Sequence, residues 1–296
     1  MNIDKSLLNN PRLQALNIMK GTVPKSAWER NEIFTKNLRK KLSQHAINNH
    51  PAINALNSQK INKEILQEIH LDYRHAIVKV FTDALTMAMT QTRQLEPRLP
   101  AGAKLAPRFL LTLNALDEFG FRPELDSSNY YSGNPAFAHY PLYEDVLKEL
   151  GLSKSAIEQF TPSQLARKLL HFLEASFSDY TSIITLLAVA ELQVIIFSPP
   201  LRKATEFHSL DVNSGYYFVH GTSTDHDTAA ADDDHEEDLW NALHQACTET
   251  DYNHLEATAL EYMNLWNEFW NEQLSRINSK VACNNTNNTN ETTALA

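Results

Sequence analysis

The stretch that decides the fold class is Ile183-Ile-Thr-Leu-Leu-Ala-Val-Ala-Glu191-Leu-Gln-Val-Ile-Ile-Phe197, the most hydrophobic part of the chain. The apolar run begins at Tyr180, and Pro199-Pro200 predict its end. Its length is that of a short membrane span, but Glu191 and Gln193 lie inside it and the sequence holds no second span to partner it. We interpret it as the buried central helix of a soluble bundle and expect no membrane contact.

The composition agrees with a soluble helical protein. The chain has 296 residues, of which 43% are hydrophobic and 21% are charged, and only seven are glycine. A glycine content this low disfavours a strand-and-turn architecture and the glycine-rich loops that bind nucleotides. The net charge of −10 disfavours a nucleic-acid partner, because such proteins concentrate Lys and Arg.

Cysteine content and the N-terminus bear on the cellular compartment. Cys247 and Cys283 are the two cysteines of the chain, too few for a disulfide framework or a zinc cluster. The first residues lack the basic and then apolar pattern of a signal peptide. We therefore expect a cytoplasmic protein.

Helical periodicity continues on both sides of the central segment. A long helix is predicted over about 62–95, where apolar side chains recur every four residues at Ile65, Ile69, Tyr73, Ile77, Phe81 and Leu85. Further helices are predicted over about 108–119, 138–150, 161–177, 232–247 and 253–277, with a polar aromatic loop at 126–135. The sequence thus predicts an all-α single bundle of about seven to eight helices over 24–280, flanked by an irregular arm (1–23) and a disordered Asn/Thr-rich tail (281–296).

Glu191 is the most informative single residue. It is the only charge between Asp179 and Arg202, and a buried carboxylate is costly unless it is protonated, paired or bound to a metal. Glu118 shares a helical face with Leu111 and Ala115 and is therefore a second candidate for an inward carboxylate. A solvated helix end for Glu118, and a simple hydrogen-bond partner for Glu191, are the structural alternatives.

Histidines complete the set of candidate site residues. His139 opens an amphipathic helix, and His220 follows an aromatic segment. Asp232 and His235 are three residues apart and so project from one helical face. They lie in a run from Asp225 to Asp238 with eight acidic residues and no basic one, which could equally be a solvated acidic loop. Helices that project Glu and His inward build dinuclear carboxylate sites in bundles, and mixed imidazole and carboxylate ligands suit iron.

The order of these motifs resembles that of a known family. The motifs are Asn114-x-x-Asp-Glu118-x-Gly120, Ala138-His139-x-Pro-Leu-Tyr-x-x-Val-Leu-x-x-Leu-Gly-Leu, Ala-Glu191, Phe-x-His220 and Asp232-x-x-His235. Over about 65–250 the chain is similar to the haem-oxygenase-like diiron oxidase/oxygenase superfamily, also called iron-containing redox enzymes. Members bind no haem. They hold two irons in a helical bundle and activate O₂ for oxidative work on small molecules.

The resemblance implies a function and a set of metal ligands. The expected cofactor is a pair of iron ions, Fe/Fe or Fe/Mn, with O₂ as co-substrate and an amino-acid-like or fatty-acid-like metabolite as substrate. The implied ligands are Glu118, His139, Glu191, His220, Asp232 and His235. On the predicted long helix, His70, Tyr73 and His75 are candidates to line the substrate pocket, although a structural role is favoured for them.

The chain departs from the family pattern at two places. The spacer between Glu118 and His139 is longer than usual, and eleven residues rather than three separate His220 from Asp232. Either the extra residues loop out and the ligands still meet, which we favour, or Asp225 or His226 takes one of the ligand places.

Two other functions stay open on sequence alone. One is a metal-free enzyme of the same fold, such as a thiaminase-like hydrolase. The other is a helical interaction protein whose acidic loop docks a basic partner. The substrate, the electron donor and the question of a homodimer are left undecided.

Overall fold

The computed structural model describes residues 10–58, 61–220 and 231–291. For residues 123, 231–233 and 280–291 it describes the backbone and not the side chains. The first half of the described chain forms helices α1 (Pro11–Thr22), α2 (Lys25–Ser43), α3 (Pro51–Asn57), α4 (Lys63–Tyr73), α5 (Phe81–Gln91) and α6 (Leu105–Glu118). A small antiparallel hairpin of strands β1 (Phe121–Leu125) and β2 (Tyr131–Gly133) follows.

The second half of the described chain consists of helices joined by loops. It forms α7 (His139–Glu149), α8 (Lys154–Gln159), α9 (Gln164–Ala175), α10 (Tyr180–Glu206), α11 (Tyr216–Val219), α12 (Ala231–Ala246) and α13 (Tyr252–Glu291). The prediction of an all-α bundle is therefore confirmed, with more and shorter helices than the seven or eight expected. The hairpin replaces part of the predicted polar loop.

Helix α10 is the centre of the bundle. It packs against α3, α5, α12 and α13, and 78% of its most apolar 18-residue window is buried inside the protein. This degree of burial is what the core helix of a soluble protein shows, as the sequence predicted.

The predicted end of this helix at Pro199-Pro200 is wrong, because α10 continues to Glu206. Two prolines remove backbone donors and cost stability in a helix interior. Here the side chains on either side, Phe197, Leu201 and Ala204, are all buried in the core, and their burial offsets that cost.

Two other segment predictions are also corrected. The predicted irregular arm contains helix α1, because Asn10 caps it by accepting a hydrogen bond from the Leu13 amide at 2.9 Å and Pro11 occupies the first turn. The predicted long helix over 62–95 is broken by a π-helical turn, Arg74–Val78, in which the Lys79 amide donates to the Arg74 carbonyl at 3.2 Å.

Two helix ends differ from their predicted positions. Helix α9 begins at Gln164 rather than near residue 161, because Ser163 caps it and its hydroxyl accepts from the Ala166 amide at 3.1 Å. Helix α13 extends to Glu291, into the tail for which the sequence predicted disorder. Residues 292–296 lie outside the described part of the chain.

His70 on α4 makes the stability of the bundle depend on pH. It is 0% exposed, with Nδ1 2.7 Å from the Leu66 carbonyl and Nε2 2.6 Å from the Tyr217 hydroxyl. Burial lowers the pKa of His70 from 6.5 to about 4. Below pH 6.5 the unfolded chain therefore binds a proton that the folded chain does not, and stability is lost as the pH falls.

We expect this effect to be removed in His70→Gln. The drop in the free energy of unfolding between pH 7 and pH 5, measured by urea denaturation, should be about 2 kcal/mol smaller than in the wild type. Tyr217→Phe is the matched control, because it removes the hydrogen-bond partner but keeps the titrating ring. It should lower stability at both pH values and keep the wild-type difference; an unchanged pH dependence in His70→Gln would contradict the prediction.

Candidate metal centre

Glu118 is the first of the candidate site residues along the chain. It is the last residue of α6, where the predicted stripe of Leu111, Ala115 and Glu118 does face inward. Its exposed fraction is only 6%. The solvated helix end considered for Glu118 is therefore wrong.

The β1–β2 hairpin lies within the long spacer between Glu118 and His139 and brings the two ends of that spacer together. The chain turns at Gly120, whose φ of +79° is unfavourable for other residues, and the Asn134 amide returns to donate to the Gly120 carbonyl at 3.1 Å. His139 then begins α7 with its Nδ1 2.8 Å from Glu118 Oε1. The extra residues thus loop out without separating the two candidate ligands.

Glu191 lies in the middle of α10 and is 3% exposed. The side-chain amide of Asn114 donates to its Oε1 at 3.2 Å. On the other side, His235 of α12 places Nδ1 3.9 Å from the same oxygen. Asn114 was not predicted as a site residue, although its position one turn before Glu118 on the same helical face was the available signal.

His220 reaches the same region from the C-terminal end of α11. It is 7% exposed, and its ring centroid lies 4.5 Å from that of His139 and 4.3 Å from that of Tyr216. His220 thus lies beside His139, while His235 reaches Glu191 from α12. The side chain of Asp232 and the alternatives Asp225 and His226 lie outside the described residues.

Four of the candidate ligands line one small cavity of about 30 Å³, which has room for one or two water molecules. The polar wall of the cavity is formed by Glu118, His139, Glu191 and His220. The apolar and aromatic wall is formed by Tyr73, Ile77, Val78, Phe81, Val194 and Tyr216. The π-turn contributes to this wall, because its extra residue per turn brings Val78 onto the face that Tyr73 and Ile77 share. Of the three candidate pocket residues on the predicted long helix, Tyr73 lines the cavity, whereas His70 and His75 are not among the lining residues described.

The electrostatics of the cavity favour a charged carboxylate at Glu118 beside the neutral phenol of Tyr216. Burial alone would raise the pKa of Glu118, but His139, which is hydrogen-bonded to it, and the nearby His220 and His235 outweigh burial and lower that pKa. Burial raises the pKa of the Tyr216 hydroxyl. The cavity therefore combines negative charge and imidazole nitrogens with a neutral aromatic wall.

The chemistry of the donors fits iron. Glu and His side chains converge from α6, α7, α10, α11 and α12, and this mixture of carboxylate and imidazole is what dinuclear bundle sites use. Their contacts pair Glu118 with His139 and Glu191 with His235. Within the described residues, no three His, Cys, Asp or Glu side chains form a group that could hold an ion as they stand.

Comparison with known proteins agrees on the fold. No protein-family model and no curated protein sequence matches the chain. A CADD-like protein of unknown function from Nostoc punctiforme superimposes with a TM-score of 0.58 at 18% identity, covering 84% of this chain and 99% of that one. A domain of unknown function with a heme oxygenase-like fold from Shewanella denitrificans gives 0.54 at 13% identity, over 86% and 93% of the two chains. A TenA family transcription regulator from a Silicibacter species gives 0.51 at 12% identity, over 81% and 96%.

The chain therefore has the haem-oxygenase-like fold, which is the fold that the resemblance of its motifs implied. At sequence identities of 18% and below, structural similarity shows a shared fold and does not by itself show a shared function. The function has to be argued from the cavity and the residues around it.

Proposed function

We propose that this protein is a non-haem diiron oxidoreductase that uses O₂ to oxidise a small organic metabolite. One observation carries the proposal: two buried carboxylates and two imidazoles from four separate elements line one cavity, at Glu118, His139, Glu191 and His220. The Nδ1 atom of His235 lies 3.9 Å from Oε1 of Glu191. Buried charges of this kind are retained in proteins when they are paired or bind a metal.

Each donor has a distinct part in holding the metal. Glu118 and Glu191, with Asp232 from the sequence motif, would reduce the charge of two ferrous ions from +4 to about +1. His139, His220 and His235 would each ligate through one ring nitrogen. When bound, the iron pair supplies the electrons and open coordination positions that O₂ reduction requires. Fe/Mn is the alternative metal pair.

The apolar and aromatic wall of the cavity indicates which part of a substrate would lie next to the metal ligands. Tyr73, Ile77, Phe81, Val194 and Tyr216 offer apolar and aromatic surface and exclude water from the donors. No Lys or Arg is among the lining residues described, so a substrate carboxylate would find no basic partner there. The alkyl or aryl part of an amino-acid-like or fatty-acid-like substrate is the part that this wall would contact, and the cavity of about 30 Å³ would have to widen to admit it.

Anaerobic reconstitution with ferrous iron tests the proposal. We expect close to two iron equivalents per chain, measured after desalting, and O₂ consumption by the loaded protein. His139→Ala should lose iron, whereas the matched control His171→Ala should keep it, because His171 is exposed on α9 and pairs with Glu174 on the surface. Uptake well below one equivalent by the wild type would overturn the proposal.

A metal-free hydrolase of the same fold is the second candidate. The direct contact of His139 Nδ1 with Glu118 Oε1 at 2.8 Å favours it, because such a pair can act as a general base. A thiol nucleophile is not on hand in the described part of the site: Cys247 is buried outside the cavity lining, and burial raises its pKa to about 12. Turnover that persists in the presence of a strong iron chelator would favour this candidate.

The acidic run has partners within the protein, which weighs against an interaction protein that docks through it. On α12, Asp234 and Asp238 pair with Arg12 of α1 at 3.3 and 2.9 Å. Glu236 and Glu237 pair with Arg39 of α2 at 3.2 and 2.7 Å. Two guanidinium groups of the bundle therefore offset half of the four negative charges at the described end of the run.

A further inference from the structure

His235 lies between two carboxylates in the interior. Its ring is 2% exposed, with Nε2 3.0 Å from Asp117 Oδ2 and Nδ1 3.9 Å from Glu191 Oε1. Asp117 belongs to α6 and is 40% exposed, so it reaches the buried ring from the solvent side. It is not among the described residues that line the cavity.

The two distances determine which ring nitrogen carries the proton. An ionised carboxylate only accepts hydrogen bonds, so the 3.0 Å contact requires a hydrogen on Nε2. The separation of 3.9 Å on the other side is too long for a hydrogen bond. In the neutral imidazole, Nδ1 therefore carries the lone pair, and it faces the Glu191 carboxylate.

We propose that Asp117 is the positioning residue of the candidate metal centre, which fixes the Nε2–H tautomer of His235 and turns the Nδ1 lone pair toward Glu191. The proposal rests on the proposed function for the ion that this lone pair would bind. Among the contacts described, the His235 ring has two carboxylate neighbours, Asp117 and Glu191. Without Asp117, Glu191 would be the one that remains, and the ring proton would move from Nε2 to Nδ1 to face it. Nδ1 would then no longer be a ligand.

One turn of α6 would in this way organise both sides of the site. Glu118 offers its own carboxylate, Asn114 holds Glu191 by the 3.2 Å hydrogen bond, and Asp117 orients His235. Three positions of a single helix thus control groups on α10 and α12. The Asn114-x-x-Asp117-Glu118 pattern of the sequence acquires a physical reason for each of its polar residues.

The experiment compares the wild type with D117A, D117N and the control D145A, in which an exposed Asp of α7 that pairs with Lys148 is removed. Proton-coupled ¹⁵N NMR of the metal-free protein at neutral pH reports the tautomer of His235, and the His235 signals are assigned by their loss in H235Q. Anaerobic titration with ferrous iron alone measures the affinity of each variant.

We expect Nε2–H in the wild type, a shift toward Nδ1–H in D117A, and about 10- to 100-fold weaker iron binding in that variant. D117N should restore both readouts, because the Asn side-chain oxygen still accepts from Nε2, and D145A should match the wild type. A wild-type ring protonated at Nδ1, or a D117A variant with unchanged tautomer, overturns the inference. If the tautomer shifts as expected while the wild type takes up no iron, the positioning by Asp117 stands and the proposed function fails.

Discussion

Glu191→Gln should lose at least one of the two iron equivalents and the associated O₂ consumption, while the iron-free protein stays as stable as the wild type or becomes more stable. Glu191 is 3% exposed, and a buried carboxylate carries a desolvation cost that a neutral amide of the same shape largely avoids. Gln also retains an oxygen that accepts from Asn114 Nδ2, so the local hydrogen bond at 3.2 Å is kept. What the substitution removes is the negative charge that a metal requires.

The measurement combines iron analysis after anaerobic loading with thermal unfolding of the iron-free protein. Glu158→Gln is the matched control, since Glu158 is 64% exposed and lies 3.8 Å from Lys154 on the surface. It should change neither readout. If Glu191→Gln binds two irons and consumes O₂ at the wild-type rate, Glu191 is not a ligand. A large loss of stability would assign it a structural role instead.

Gly120→Ala should destabilise the protein by about 3 kcal/mol or more. At φ +79° a Cβ atom would lie 2.6 Å from the backbone of Asn134, Phe137 and Ala138. The left-handed conformation alone costs about 1 kcal/mol for a non-glycine residue, and backbone atoms at 2.6 Å cannot move aside without displacing the start of α7. Any folded fraction should bind less iron, because His139 would be pushed away from Glu118.

Two other glycines separate the causes of this loss. Gly215 has a φ of +67° and a ψ of −146°, a combination almost confined to glycine, but no described atom lies within 4 Å of an added Cβ, so Gly215→Ala should cost only the conformational part, about 2 kcal/mol. Gly21 in α1 has neither problem, and Gly21→Ala should be neutral or stabilise by up to about 1 kcal/mol. Urea unfolding of the three variants gives the order. A Gly120→Ala variant no less stable than Gly215→Ala would show that the hairpin does not hold α7 in place.

Much of the fold was predictable because local patterns encode it. The apolar run around Glu191 predicted a buried central helix, and the stripe of Leu111 and Ala115 made Glu118 a candidate for an inward carboxylate. The errors lie where packing overrides local preference. Helix α10 passes through Pro199-Pro200, and a π-turn interrupts the predicted long helix at 74–78.

The site was only partly predictable, because its supporting residues are recognised by what they contact. Asn114 and Asp117 are ordinary polar residues in the sequence, and their contacts with Glu191 and His235 join α6 to α10 and α12. The charge of the acidic run was likewise visible in the sequence. Its partners Arg12 and Arg39 were not, because they are about 200 residues away along the chain.

The sequence by itself determined the fold class and the kinds of donor atoms, since hydrophobic periodicity and the rarity of a charge inside an apolar helix are local properties of the chain. The tertiary structure decided which donors meet. The hairpin at Gly120 brings His139 to 2.8 Å from Glu118, and the packing of α12 on α10 brings His235 to 3.9 Å from Glu191. These distances depend on contacts between residues far apart in the chain, which local patterns do not encode.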